Sequence, residues 1–344
     1  MNDKRFIVPI FISHFGCPCR CVYCDQSKLA RPASALPTPE EIHEEIERGL
    51  SLGTRKRKQR RTVQVAFYGG SFTALPVQIQ RVLLCSAAPF LEAGRVHSLR
   101  LSTRPDSISP EILEILGTHT VATVELGVQS MDDEVLKISQ RGYGRREVIT
   151  AVGDLLQGNF EVGMQLMIGL PGDSVQRFAA TVEAVIDLRP HFVRLYPTLV
   201  IKGTALARWF RQGRYHPLSL EEAIARTKVA LQRFRQARIP VIRVGLQPTP
   251  TMETAGTIVA GPYHPAFRQL VESSLLYEQA ASLLAGLGSG GENPPTFLIS
   301  SHDISTFYGQ GGRNMKRLRE TFGLQEIMVK TDPEQEPGTI ALCI

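Results

Sequence analysis

The chain has 344 residues, is 43% hydrophobic and carries a net charge of +6, enough to bury a barrel-sized domain with a small module beside it. Six cysteines crowded mostly into one loop are not the framework of a small secreted domain. No apolar run reaches the roughly 18–20 residues of a membrane span, and Phe6–Ile12 is too short for a signal-peptide core. The expectation is a cytoplasmic enzyme with no membrane partner, whose basic balance suits a polyanion.

The first element is a strand, FIVPIFI, which empties into a thiol-rich loop ending at Cys24. Cys17, Cys21 and Cys24 stand at the spacing CxxxCxxC. Thiolates select zinc, Cu(I) or iron–sulfur clusters. Structural zinc wants four ligands, usually with a second paired half, and none follows. A 4Fe–4S cluster on three thiolates leaves one iron free to bind a small molecule. A half-formed zinc site and a redox pair remain the alternatives. Cys19, inside the loop, reads as a bystander, because CxCxxC built from it is a different spacing. Cys85 and Cys343 read as small apolar core residues.

Next, Thr38, Pro39 and Glu41 form a capping box for a helix running to about Leu52. Arg55–Arg61, with six positive charges in seven residues, is a solvated loop or a phosphate-contacting patch. VQVAFY is a buried strand ending in Gly69-Gly70-Ser71. Strands follow at SLRLST, VATVEL, EVGMQLMI and HFVRLY, separated by helices near 76–92, 110–117, 132–157 and 174–188. This α/β rhythm builds a parallel sheet of βαβ units. Six units make a partial, three-quarter TIM-type barrel, with chemistry at the C-terminal strand ends. Polar residues gather there: Ser71 after the second strand, Ser102 after the third, Gln129 and then Arg141 after the fourth, Gln165 in the fifth. Paired glycines at Gly69 and Gly70 let backbone approach a ligand without a Cβ in the way.

The thiol loop, with Tyr23 before its last cysteine, resembles the signature of the radical S-adenosylmethionine (SAM) superfamily. The resemblance implies one 4Fe–4S cluster on Cys17, Cys21 and Cys24, SAM chelated at the free iron, reductive cleavage to a 5′-deoxyadenosyl radical, and an external one-electron reductant of flavodoxin or ferredoxin type. It also implies Tyr23 near the adenine, Gly69, Gly70 and Ser71 at the methionyl amino group, and Gln129 and Arg141 at the cofactor's carboxylate and ribose. Ser71 stands where the family motif has Glu. ELGVQS, QRGY and the run RLYPTLVIKGTALARWFRQGRY are similar to the radical domain of the Elongator catalytic subunit, over roughly residues 6–245. That family modifies the wobble uridine of transfer RNA, so RNA is the implied substrate. Ser102 replaces a Glu of that family, and Gln165 falls where oxygen-independent coproporphyrinogen III oxidase has a ribose-binding Asp. Gln26 in place of a further cysteine argues against the porphyrin enzyme. A tetrapyrrole or other small-molecule radical reaction, and a cluster-bearing RNA-binding accessory protein, are the rival functions. The chain also leaves no room for the Elongator acetyltransferase domain.

The expected organisation is a radical SAM core over 1–245, a helical extension and linker over 246–290, and a small α+β module over 291–344. In the last, a strand, a short helix, Gly309-Gln310-Gly311-Gly312, a basic helix and another strand follow in order. This resembles the core of a KH domain, whose GxxG loop clamps the nucleic-acid backbone. The resemblance implies RNA contacts at Gly309, Gln310, Gly311 and Gly312, with Arg313 and Lys316 beside them.

Overall fold

The computed structural model describes residues 5–12, 14–18, 20–25, 35–54, 62–286 and 294–343. Cys19 and the Arg55–Arg61 run lie outside the described residues. The six expected strands are present: β1 Phe6–Phe11, β2 Val63–Tyr68, β3 Ser98–Thr103, β4 Val121–Gln129, β5 Glu161–Ile168 and β6 Phe192–Pro197. A two-residue β7, Val200–Ile201, pairs antiparallel with β9, Ile258–Ala260. Between them β8, Val241–Val244, adds a seventh strand that the sequence reading did not find. The large sheet runs β1-β2-β3-β4-β5-β6-β8, parallel throughout, in the partial-barrel class expected. Pro9 is tolerated because β1 is an edge strand with a single neighbour, so its missing N–H costs no ladder bond.

Alternation along each strand separates two faces. Val65 and Phe67, Leu99 and Leu101, Val124 and Leu126, and Val162 and Met164 are buried on one face. Helices supply partners of matching period: Ile112, Ile115 and Leu116 on Pro110–Thr118, and Val148, Val152 and Leu155 on Arg145–Gln157, are buried too. The other face carries Gln64, Arg100, Thr123, Glu125, Gln165 and Arg194. Gly163 is required there, because a Cβ would stand 2.2 Å from the ring of its neighbour Phe192.

Helix Pro39–Thr54 opens on the expected capping box, Thr38 N–H donating to Glu41 at 2.9 Å and Glu41 N–H to the Thr38 hydroxyl at 3.3 Å. The helix expected over 132–157 is two, Asp133–Ile138 and Arg145–Gln157. The break holds Gln140 and Gly142 at positive φ, which turns Arg141 off the helical path.

Two compact units divide the chain: Met1–Ser219 with Arg233–Tyr263, and Leu220–Gln232 with His264–Ile344. In this division residues 246–263 go with the first unit, where β9 closes on β7. In the second unit the helix Phe267–Ala285 is the core of the module rather than a connection. Its Leu276, Tyr277, Ala280 and Leu284 pack with Phe297, Ile299, Phe307, Met315 and Leu318. Strands β10 Thr296–Ile299, β11 Met328–Thr331 and β12 Ile340–Cys343 form a sheet of order β11-β10-β12.

Candidate active site

The cysteine loop is held by the loop after β2. Ile12 N–H donates to Tyr68 O at 2.8 Å, His14 N–H to Gly69 O at 2.9 Å, and Ser71 N–H returns to Phe15 O at 2.9 Å. The two backbones run so close that neither tolerates a side chain. A Cβ at Gly16 would lie 2.0 Å from Ser71 O, and one at Gly70 would lie 2.4 Å from Phe15 O and 2.7 Å from Ile12 O. The close approach expected at Gly70 is therefore made by the cysteine loop itself. Further along, Val22 is fully buried and carries both a donor and an acceptor role: its N–H reaches Ser139 O and its carbonyl receives Leu206 N–H at 2.7 Å. The stretch 191–215, prominent in the sequence, thereby forms the apolar seat of the loop, with Leu206, Ala207 and Tyr215 packed around Cys21, Val22 and Tyr23.

A cavity of about 900 Å3 opens over the C-terminal strand ends, and all eleven residues expected at the cluster and cofactor line it. They are Cys17, Cys21, Cys24, Tyr23, Gly69, Gly70, Ser71, Ser102, Gln129, Arg141 and Gln165. The three thiols are free of disulfides. Among the described residues no three His, Cys, Asp or Glu side chains converge on a single-ion site. Thiolates that each hold a different iron of a cube need no such point of convergence, whereas a structural zinc does. Three thiols on one loop suit a 4Fe–4S cluster that keeps one iron open. Burial and the neighbouring Cys21 push the Cys17 thiol up, while Arg104 and Arg141 pull it down.

Arg141 is the hub. Its guanidinium donates to Cys21 Sγ at 2.9 Å, Tyr23 OH at 3.1 Å, Gly127 O at 2.6 Å and Tyr143 OH at 2.8 Å. Arg104 donates to Asp106 at 2.9 and 2.7 Å and to the Arg141 carbonyl at 2.6 Å. Gln129 sits at φ +70, a left-handed conformation that costs a non-glycine residue free energy. It takes a hydrogen bond from Gln165 Nε2 at 3.1 Å. A Cβ at Gly127 would crowd Gln129 Nε2 at 3.0 Å, so glycine keeps this corner open.

Sequence reasoning missed the cavity floor. Glu125, 5% exposed, accepts from Tyr68 OH at 2.8 Å, Arg194 Nη2 at 2.8 Å and Arg100 Nη1 at 3.1 Å. Burial, with the Glu125 charge beside it, pushes the Tyr68 phenol up to about 12. Burial takes Tyr143 to about 12 as well, against the opposing Arg141. Polar residues two apart on otherwise apolar strands, Thr123 with Glu125 and Arg194 with Tyr196, were the available signal.

The other cysteines correct an expectation. Cys85 and Cys343 are exposed rather than core residues, since each lies on the outward side of the last turn or strand that carries it. In the second unit Gly309, Gly311 and Gly312 have positive φ and lead into the helix Arg313–Phe322. Gly311 and Gly312 face open space, Arg313 and Lys316 are exposed, and Lys316 lies 3.8 Å from Glu320. Asn314 pins the turn by donating to Ser273 O and Phe307 O, both at 3.0 Å.

The radical SAM superfamily domain matches residues 11–185, just over half of the chain, and a radical SAM C-terminal domain matches 190–276. The chain belongs to the radical SAM superfamily. It is a radical SAM enzyme with the partial-barrel fold that its motifs implied. An uncharacterized protein of Methanocaldococcus jannaschii is 28% identical over 65% of this chain and 70% of its own length. The tRNA uridine(34) acetyltransferase of Methanocaldococcus infernus is 35% identical over 38% of this chain, and the chain spans only 25% of that relative. The structure of Elp3 from Methanocaldococcus infernus superposes with a TM-score of 0.60 at 23% identity, covering 80% of this chain and 63% of that one. Among the described residues no helix is long and apolar enough to cross a membrane.

Proposed function

We propose that this radical SAM enzyme holds a 4Fe–4S cluster on Cys17, Cys21 and Cys24, cleaves SAM reductively, and acts on transfer RNA at a wobble uridine. The observation that carries the reading is the gathering of three thiols outside any disulfide and the polar ends of five strands on one cavity. When bound, the cluster and an external flavodoxin- or ferredoxin-type reductant supply the electron that converts SAM to a 5′-deoxyadenosyl radical. The protein's part is positioning and shielding. Arg141 holds the thiol end with a fixed fork of donors and supplies positive charge beside Cys21. The Gly69–Gly70–Ser71 turn lines the cavity at the methionyl end, Gln129 and Gln165 offer amides to a ribose, and Tyr23 supplies an apolar face for the adenine. Ser71 and Ser102, in place of carboxylates, contribute hydroxyls without charge. Val22 and its apolar seat exclude water from the thiol side.

RNA as substrate is supported by the similarity to the tRNA uridine(34) acetyltransferase and by the exposed turn Gly309–Gly312. There the helix start suits phosphate, with Arg313 and Lys316 adding charge. Anaerobic reconstitution should give about four irons per chain and 5′-deoxyadenosine with dithionite. Nucleoside mass spectrometry of transfer RNA from deletion and wild-type cells should then differ at one uridine derivative. Identical nucleoside profiles would refute the transfer-RNA substrate while leaving the cofactor chemistry standing.

A further inference from the structure

The polar lining of the barrel is not electrically balanced. Arg5 and Arg100 lean on Glu161, and Arg100 and Arg194 share Glu125. Among the described residues, Arg243 on β8 meets no carboxylate. Its one side-chain partner is Gln247, whose Oε1 accepts from Arg243 Nη2 at 3.1 Å. A guanidinium stays protonated and offers five donors, so most of this fork has no acceptor among the described residues. Moreover Arg243 stands in direct register with Arg194 on β6, and both line the cavity. Like charges facing each other on adjacent strands destabilise a sheet unless something neutralises them. At the cysteine end Arg104 is committed to Asp106 and Arg141 to Cys21 and Tyr143, while Arg20 stands exposed on the thiol loop itself. Away from that loop, the unmatched charge on the strands sits at β8, the sheet edge opposite the strand that feeds the thiol loop.

We propose that Arg243, with Gln247 orienting its guanidinium, forms an oxyanion subsite for the substrate, separate from the cofactor's polar contacts. The ligand chemistry is a phosphate or carboxylate received by a planar fork of N–H donors. The choice of phosphate rests on the RNA reading above, where the oxyanion is a backbone phosphate next to the reacting nucleotide. A small-molecule substrate would offer a carboxylate to the same fork.

Calorimetric titration of the full chain with uridine 5′-monophosphate, uridine, inorganic phosphate and succinate tests this. The monophosphate should bind at least tenfold more tightly than uridine, and inorganic phosphate should compete with it. Arg243→Gln should abolish that discrimination and Arg243→Lys should keep part of it, since a point charge replaces the fork. Succinate competing where phosphate does not would support the subsite and assign it to a carboxylate. Equal binding of the monophosphate, succinate and uridine by wild type, or discrimination retained in Arg243→Gln, would overturn the proposal. So would a tenfold loss of SAM affinity in that variant, which would place Arg243 in the cofactor pocket. The two readings fail separately. Transfer RNA that binds equally to wild type and Arg243→Gln removes the subsite, and wild type that discriminates phosphate yet binds no transfer RNA removes the RNA substrate.

Discussion

Replacing Glu125 by Gln isolates the largest electrostatic commitment of the barrel. The side chains of Glu125, Arg100 and Arg194 are 6%, 5% and 19% exposed. Gln preserves the shape but leaves Arg194 without a carboxylate and Arg100 with Glu161 alone, at 3.7 Å. The new amide also turns N–H groups toward guanidinium donors. Removing one partner of a buried ion pair costs about 3–5 kcal/mol. The retained Glu161 and the partial exposure of Arg194 place the expected loss near the lower end, about 3 kcal/mol. Trp209 is the sole tryptophan and lies in the first compact unit, so its emission follows that unit's unfolding in urea. With a slope of about 3 kcal/mol/M for a chain of this size, the midpoint should fall by about 1 M. Adding Arg194→Met removes the stranded charge and should return part of the loss, so the two substitutions should be strongly non-additive. A midpoint shift under about 0.3 M, or simple additivity of the pair, would show that this network does not hold the barrel.

Other outcomes follow from the same geometry. Alanine at Cys17, Cys21 or Cys24 should abolish the iron–sulfur absorbance of reconstituted protein, while Cys19→Ala should retain about four irons; a Cys19→Ala protein without iron would reassign the ligands. Gly70→Val should lose the cluster as well as SAM binding, because its side chain would strike Phe15 O and Ile12 O in the cysteine loop; an intact cluster in that variant would contradict the packing described. Burial alone would raise the Glu161 carboxyl, but hydrogen bonds from Arg5 and Thr123 outweigh it and hold it below the usual glutamate range. Its contribution is therefore full above about pH 4.3, the unfolded value, and is lost as pH falls through the lower folded one. Glu161→Gln should be less stable than wild type at pH 7 and should converge with it in acid; a gap that persists in acid would point to packing instead. In an absorbance titration Tyr68 and Tyr143 should ionise near pH 12, after the exposed tyrosines near pH 10, and the Phe variants should each shrink that late phase.

The amino-acid sequence alone determined the local elements of this protein and the grouping of its thiols. Each of β1 to β6 is a compact apolar run ended by Gly, Pro or polar residues, which local pattern records directly. CxxxCxxC lies within eight residues, so the closeness of its three thiols is also a local fact. The polar strand ends could be read as a site because parallel strands place all their C-terminal ends on one side.

What only the tertiary structure decided involves residues distant in the chain. Arg100, Glu125 and Arg194 alternate with aliphatic residues, a pattern identical for a solvated face and for the interior of a curled sheet. Closure of the strands makes it an ion network, because it removes water and brings both guanidiniums within 3.1 Å of the Glu125 carboxylate. Gly70 reads the same whether ligand or protein backbone is its neighbour, and only the fold puts Phe15 O there. Four-residue β8 has too little periodicity to be seen alone, and its pairing with β6 makes it a strand. Cys85 and Cys343 went wrong for the same reason: a residue's polarity states a preference for burial, and which side of an element meets the core is settled by what packs against it.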